Sequence, residues 1–158
     1  MKEIHYAQIV STVRNLCIQA NTQLSPDLQQ AICGAEEQEP SPVGKAILDD
    51  LEENFRFAAE KNLPICQDTG MAVVFCRLGQ DVQIIGGLLS DAVNQGVALG
   101  YTEGHLRCSV VADPLRRENT GNNTPAVLHL ELVQGDELEI TVAPKGFGSE
   151  NMTKLNMF

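Results

Sequence analysis

Pro64-Ile65-Cys66-Gln67-Asp68-Thr69-Gly70 runs directly into Met71-Ala72-Val73-Val74-Phe75-Cys76-Arg77-Leu78, and the hydrophobic pattern changes its period at this junction. Upstream, Val43, Ala46, Ile47, Leu51, Phe55 and Ala58 recur at helical spacing behind a Ser41-Pro42 cap-and-proline start, predicting a helix to about Lys61. Downstream, residues 71–78 are rich in Val and Phe with no breaker, which predicts a strand. Pro64 discourages helix and Gly70 permits a sharp turn. Between them a thiol, a carboxamide, a carboxylate and a hydroxyl occupy consecutive positions, a density of polar chemistry that reads as an active-site loop. The alternative is a small buried hydrophobe at Cys66 followed by an ordinary turn, and these seven residues alone leave both open.

Working outward, Ala7, Val10, Val13, Leu16, Cys17 and Ala20 predict an amphipathic first helix over roughly 3–22, with His5 inside it and Cys17 on its apolar face. Ser25-Pro26-Asp27 starts a short second helix, with Cys33 in its packing and Gly34 as its end. Beyond the first strand, Gly79-Gln80-Asp81 turns toward a second strand at 82–85, and Leu88 to Ala98 is helical with Gly100 available to stop it. Alternation from Ala126 to Val133, a turn at Gln134-Gly135-Asp136, and Leu138, Ile140 and Val142 read as a β-hairpin. The expected fold is α+β: N-terminal helices followed by a mixed or antiparallel sheet with an inserted helix, residues 1–158 forming a single domain.

Composition excludes several function classes. With 158 residues, 43% of them hydrophobic, the chain can bury a real core. A formal charge of −10, from 21 acidic and 11 basic residues, opposes a polyphosphate backbone, so no nucleic-acid partner is expected, and the adjacent Arg116 and Arg117 read as loop-anchoring salt-bridge donors. No apolar run reads as a signal peptide or membrane span, which predicts a cytoplasmic protein without membrane association. Five cysteines without paired or zinc-type spacing fit reduced thiols better than disulfides.

Two further polar segments interrupt the scaffold. One runs from Leu106-Arg107-Cys108-Ser109-Val110-Val111 through Asp113-Pro114 to Asn119-Thr120-Gly121-Asn122-Asn123-Thr124-Pro125. Such a long loop is either a functional segment or a solvated surface connection with its arginines facing water. The other is Lys145-Gly146-Phe147-Gly148-Ser149-Glu150-Asn151, whose glycines allow backbone N–H groups to approach an anion, with Lys145 adding positive charge. It lacks Walker spacing and follows a predicted hairpin, which weakens a nucleotide-binding reading; a plain glycine turn is the bland alternative.

Taken together and in this order, the Cys66-Gln67-Asp68-Thr69-Gly70, Leu106–Pro125 and Lys145–Asn151 segments resemble the N-terminal part of the α subunit of class I, iron–sulfur-dependent fumarate hydratase, a relative of L(+)-tartrate dehydratase. The middle segment and the Lys145–Asn151 ending look more like the fumarase branch. The resemblance implies reversible hydration of fumarate to L-malate, a tricarboxylic acid cycle reaction, and a [4Fe–4S] cluster on three cysteines with one iron open. Cys66 matches one cluster ligand. Gln67 and Asp68 match catalytic and substrate-binding residues, Arg107 matches the partner of a substrate carboxylate, and the backbone near Gly148 matches the remainder of the anion site.

The family's other two cluster cysteines fall beyond the Lys145–Asn151 motif, and Cys17, Cys33, Cys76 and Cys108 do not match them. The chain therefore reads as a truncated subunit whose partners are a C-terminal remainder or β subunit, in a homo- or hetero-oligomer. Alternatives are an L(+)-tartrate dehydratase subunit and a truncated, non-catalytic binding or assembly module. His129, beside Glu131 on the polar side of its strand, reads as a surface or interface residue, and His105 as an incidental loop histidine.

Overall fold

A computed structural model of the chain describes residues 1–157. Its elements run β1 (Lys2–His5), α1 (Tyr6–Thr22), α2 (Pro26–Gln38), α3 (Pro42–Lys61), β2 (Met71–Gly79), β3 (Val82–Ile85), α4 (Leu89–Glu103), β4 (Val127–Val133), β5 (Leu138–Lys145) and α5 (Gly148–Asn151). They divide into two units, one comprising Met1–Ile18 and the chain from Asp68 onward, the other Gln19–Gln67.

In the first unit β2 is the middle strand of a three-stranded sheet of order β4-β2-β5, parallel to β4 and antiparallel to β5. This is the α+β arrangement in its mixed form. The expected hairpin is not made: β4 and β5 each pair with β2, which lies between them. Ala72, Val74 and Cys76 of β2 are all at most 1% exposed, and a strand buried this deeply needs partners along both edges to satisfy its backbone. The β4–β5 connection bends over the end of β2, where Gly79 N–H donates to Glu137 O (2.8 Å), Gln80 N–H to Val133 O (2.9 Å) and Asp81 N–H to Gly135 O (2.9 Å). The turn was legible locally; its insertion around a third strand was not.

A second, two-stranded sheet pairs β1 with β3 in parallel, placing Ile4 opposite Ile84. The helix expected from residue 3 accordingly begins at Tyr6, and His5 ends a strand instead of lying in the helix. Its N–H donates to Gln8 Oε1 at 3.0 Å, half of a capping box. Helix α4 runs through Gly100 to Glu103, beyond the expected stop. A Cβ at Gly100 would stand 2.7 Å from Cys17 Cβ, so this glycine serves the close approach of α4 to α1. Just past its end His105 turns the chain away at φ 52° while Leu106 N–H reaches back to Tyr101 O at 2.9 Å. Ile9, Val13 and Cys17 of α1, the inner face of β2, and Val93, Val97 and Tyr101 of α4 form the core. Full burial of each large apolar side chain contributes roughly 1.5–3 kcal/mol.

In the second unit α2 continues past Gly34 to Gln38. One helical glycine costs only about 1 kcal/mol, and Ala35, Glu36, Glu37 and Gln38 propagate helix well until Pro40 approaches. Helix α3 is capped by the Ser41 hydroxyl and ends at Asn62 in the left-handed conformation. Phe55 and Ala58 are its buried residues. Among the described residues no helix is long and apolar enough to cross a membrane.

Candidate active site

The loop carrying Cys66 is tied down just before the thiol. Ile65 N–H donates to Asn21 O (2.9 Å) and Ile65 O accepts from Asn54 Nδ2 (2.9 Å). Both backbone groups of the preceding residue are thus engaged, while Cys66 and Gln67 themselves are exposed. The Cys66 thiol lies 3.6 Å from Gln67 Oε1.

Asp68 turns to the opposite end of the motif set. Its Oδ2 accepts from Phe147 N–H and Gly148 N–H, both at 2.9 Å, with Ser149 Oγ at 3.5 Å. Consecutive N–H groups converging on one oxygen form an anion nest, and the anion in it is the chain's own carboxylate. Gly70 makes the approach possible: at φ 61° it brings its backbone so near β5 that a Cβ would stand 2.0 Å from Lys145 O. Glu150 closes the same loop, accepting from Gly146 N–H at 2.7 Å and pairing with Lys145 Nζ at 3.4 Å. Lys145 also donates to Asn151 Oδ1 at 3.3 Å, so its charge is directed within the loop. The Gly148 N–H expected to face a substrate carboxylate is committed here to Asp68.

Arg107 is docked by its peptide. Arg107 N–H donates to Thr69 Oγ1 (3.0 Å), and the same hydroxyl donates to Arg107 O (3.2 Å). Thr69 is 3% exposed, and its own carbonyl accepts from the Tyr101 hydroxyl at 2.9 Å. Asn123, fully buried, makes the next tie: Nδ2 donates to Gly70 O (3.0 Å), and Oδ1 accepts from Ser109 N–H (2.7 Å) and Val110 N–H (3.2 Å). The guanidinium of Arg107 is exposed and has no ion pair among the described residues, whereas Arg14, Arg56 and Arg77 are paired with glutamates. An unpaired cation in so acidic a chain is available to an anionic ligand.

The Asn- and Thr-rich loop after Arg107 is internally bonded. Asn119 Nδ2 donates to Cys108 O (2.8 Å), and Val111 bridges Asn119. Arg116 and Arg117 form no ion pairs among the described residues; they join the loop through backbone N–H groups donated to Asp113 Oδ1 and Asp113 O, both at 2.8 Å. The Asp113 side chain builds the turn itself, so the arginine charges are not needed there. His129 is exposed, its ring stacked on Phe75 at 4.9 Å between centroids. The roles of Thr69, Tyr101 and Asn123 were hidden from the sequence reading. Only the presence of Thr69 and Asn123 within dense polar motifs hinted at them.

The thiols differ sharply. Burial pushes Cys17 up to about 12 and also raises Cys76. A hydrogen bond to Glu52 raises Cys33, and half-buried Cys108 lies 3.6 Å from Gly121 O. Cys66 is the exposed one. No group of three or more His, Cys, Asp or Glu side chains that could hold a metal ion occurs among the described residues. The described side chains therefore do not by themselves make a complete metal-binding set.

The sequence model of the family described as fumarate hydratase (Fumerase) matches residues 10–158. Over 156 residues the chain is 34% identical to a putative L(+)-tartrate dehydratase subunit alpha from Methanocaldococcus jannaschii, covering 95% of this chain and 54% of that protein. It is 37% identical over 139 residues to the aerobic class I fumarate hydratase of Escherichia coli K12, covering 86% of this chain and 25% of the relative. To the L(+)-tartrate dehydratase subunit alpha of Escherichia coli UTI89 it is 28% identical over 144 residues, covering 89% and 47%. The chain thus spans about half the length of these alpha subunits and a quarter of the fumarate hydratase.

Proposed function

Because this chain belongs to the fumarate hydratase (Fumerase) family, we propose that it supplies part of the active site of a hydro-lyase that reversibly adds water to fumarate to give L-malate. The observation that carries this reading is the arrangement of Asp68, Thr69 and Arg107. An exposed thiol and amide precede a carboxylate anchored in the Lys145–Asn151 loop, and Thr69, the next residue, holds the backbone of an arginine with no ion pair among the described residues. Arg107 binds one carboxylate of the dicarboxylate through two parallel hydrogen bonds. Gln67 and Asp68 receive and orient the hydroxyl that is added or lost, Asp68 being held in place by the Phe147 and Gly148 N–H groups. For Gly148 to bind substrate directly, Asp68 must release that N–H, so the two contacts exclude one another.

Cys66 is the residue of this chain that would hold a [4Fe–4S] cluster, which when bound supplies an open iron as a Lewis acid for the hydroxyl. The other ligands and the remaining carboxylate-binding groups come from outside these residues, from a further segment or a β subunit within an oligomer in the cytoplasm. A second reading, L(+)-tartrate dehydration, is favoured by one observation: the alpha subunits named for that reaction are covered to about half their length. Anaerobic iron–sulfur reconstitution of the assembled enzyme, followed by assays with fumarate, L-malate and L-tartrate, decides between them. Turnover of none of the three defeats the hydro-lyase reading.

A further inference from the structure

Arg107 lies outside the named helices and strands, yet both polar atoms of its peptide are satisfied by a single side chain, the Thr69 hydroxyl, at 3.0 and 3.2 Å. That hydroxyl does for one residue what a neighbouring strand does for a ladder. Thr69 is adjacent to Asp68, so the two bonds place the Arg107 backbone at a set position relative to the carboxylate-bearing residue. Asn123 adds a second tie just beyond it, joining Gly70 O to the N–H groups of Ser109 and Val110, two and three residues past Arg107. Thr69 and Asn123 are 3% and 0% exposed, so water does not compete for these bonds.

We propose that Thr69, supported by Asn123, is a positioning residue for substrate recognition, holding the Arg107 guanidinium in register with Asp68 for a dicarboxylate. The inference rests on the hydro-lyase reading above. A bidentate arginine contact depends on the placement of the whole side chain, and that placement starts from the peptide that Thr69 clamps. Thr69 touches no reacting atom; it acts through Arg107.

The test is a double-mutant cycle in the assembled enzyme. Thr69→Val keeps the shape and removes the hydroxyl; it should lower kcat/KM by about 10- to 100-fold, carried mainly by KM, as expected when a binding group is displaced. Thr69→Ser restores the hydroxyl and should bring kcat/KM back to within about threefold of wild type. In an Arg107→Gln background Thr69→Val should cost less than about twofold more, because the group it positions is gone. Should Thr69→Val not fold, Tyr101→Phe, which removes the donor to Thr69 O, takes its place with a smaller effect on KM that is likewise lost in the Arg107→Gln background. Given an active wild type, an unchanged KM, or a loss that persists undiminished without Arg107, overturns the positioning role and leaves the functional reading standing. A wild type inactive on all three acids overturns both.

Discussion

Replacing Asn123 by Ala removes the side chain that joins Gly70 to the segment following Arg107. Three hydrogen bonds are lost at a fully buried position, and Gly70 O, Ser109 N–H and Val110 N–H lose their partner. Each such bond contributes about 0.5–1.5 kcal/mol net, and more where the orphaned group stays buried. Asn123 also sits at φ 60°, where alanine adds about 1–2 kcal/mol of backbone strain. The sum is about 2.5–6.5 kcal/mol, a large part of the roughly 5–15 kcal/mol that holds an ordinary domain folded. Urea unfolding followed by circular dichroism should show the midpoint falling by about 1–3 M at an unchanged slope. Asn123→Gly, free of the strain, should recover about 1 kcal/mol of the loss. A change below about 1 kcal/mol for Asn123→Ala, with no difference between Ala and Gly, would refute the view that this residue clamps the two segments.

Cys66→Ser should abolish the cluster's visible absorption and the dehydratase activity of the assembled enzyme, while Cys17→Ala spares both; equal losses would remove Cys66 as the ligand. Arg107→Lys, which cannot form two parallel hydrogen bonds, should lower kcat/KM for L-malate by about tenfold or more with the cluster spectrum retained, and unchanged kinetics would place the guanidinium in solvent. Burial raises Cys17 from 9.0 to about 12 in the folded chain, so its contribution to stability is complete below about pH 9 and declines as pH rises toward 12. Cys17→Ala should flatten that part of the stability–pH curve, and an unaltered slope would mean that other groups set it. Residues 1–158 alone should fold but hold no [4Fe–4S] cluster; anaerobic reconstitution yielding about four irons per chain would contradict this.

Local pattern was enough to read α1, α3, β2 and β3 nearly to their ends, because hydrophobic period, capping serines, prolines and turn residues act within a few positions of one another. The same holds for the three motifs, whose residue types announce chemistry wherever they fold. Long-range pairing lay beyond that reach. Nothing near residues 126–145 reveals that β2 will take both β4 and β5 as neighbours, or near residues 2–5 that β3 will draw them into a strand. Gly100 reads as a helix stop from its neighbours alone, whereas in the fold it lies inside α4 against Cys17. The candidate site shows the same division. Asp68 and Gly148 were both legible as polar or anion-binding residues, but only the folded chain shows that one holds the other, 80 positions apart. Thr69 and Asn123 carry ordinary turn-forming side chains, and their importance comes from burial. A hydroxyl or amide excluded from water must find partners within the protein, and which backbone groups it finds is decided by tertiary packing, not by its neighbours in sequence.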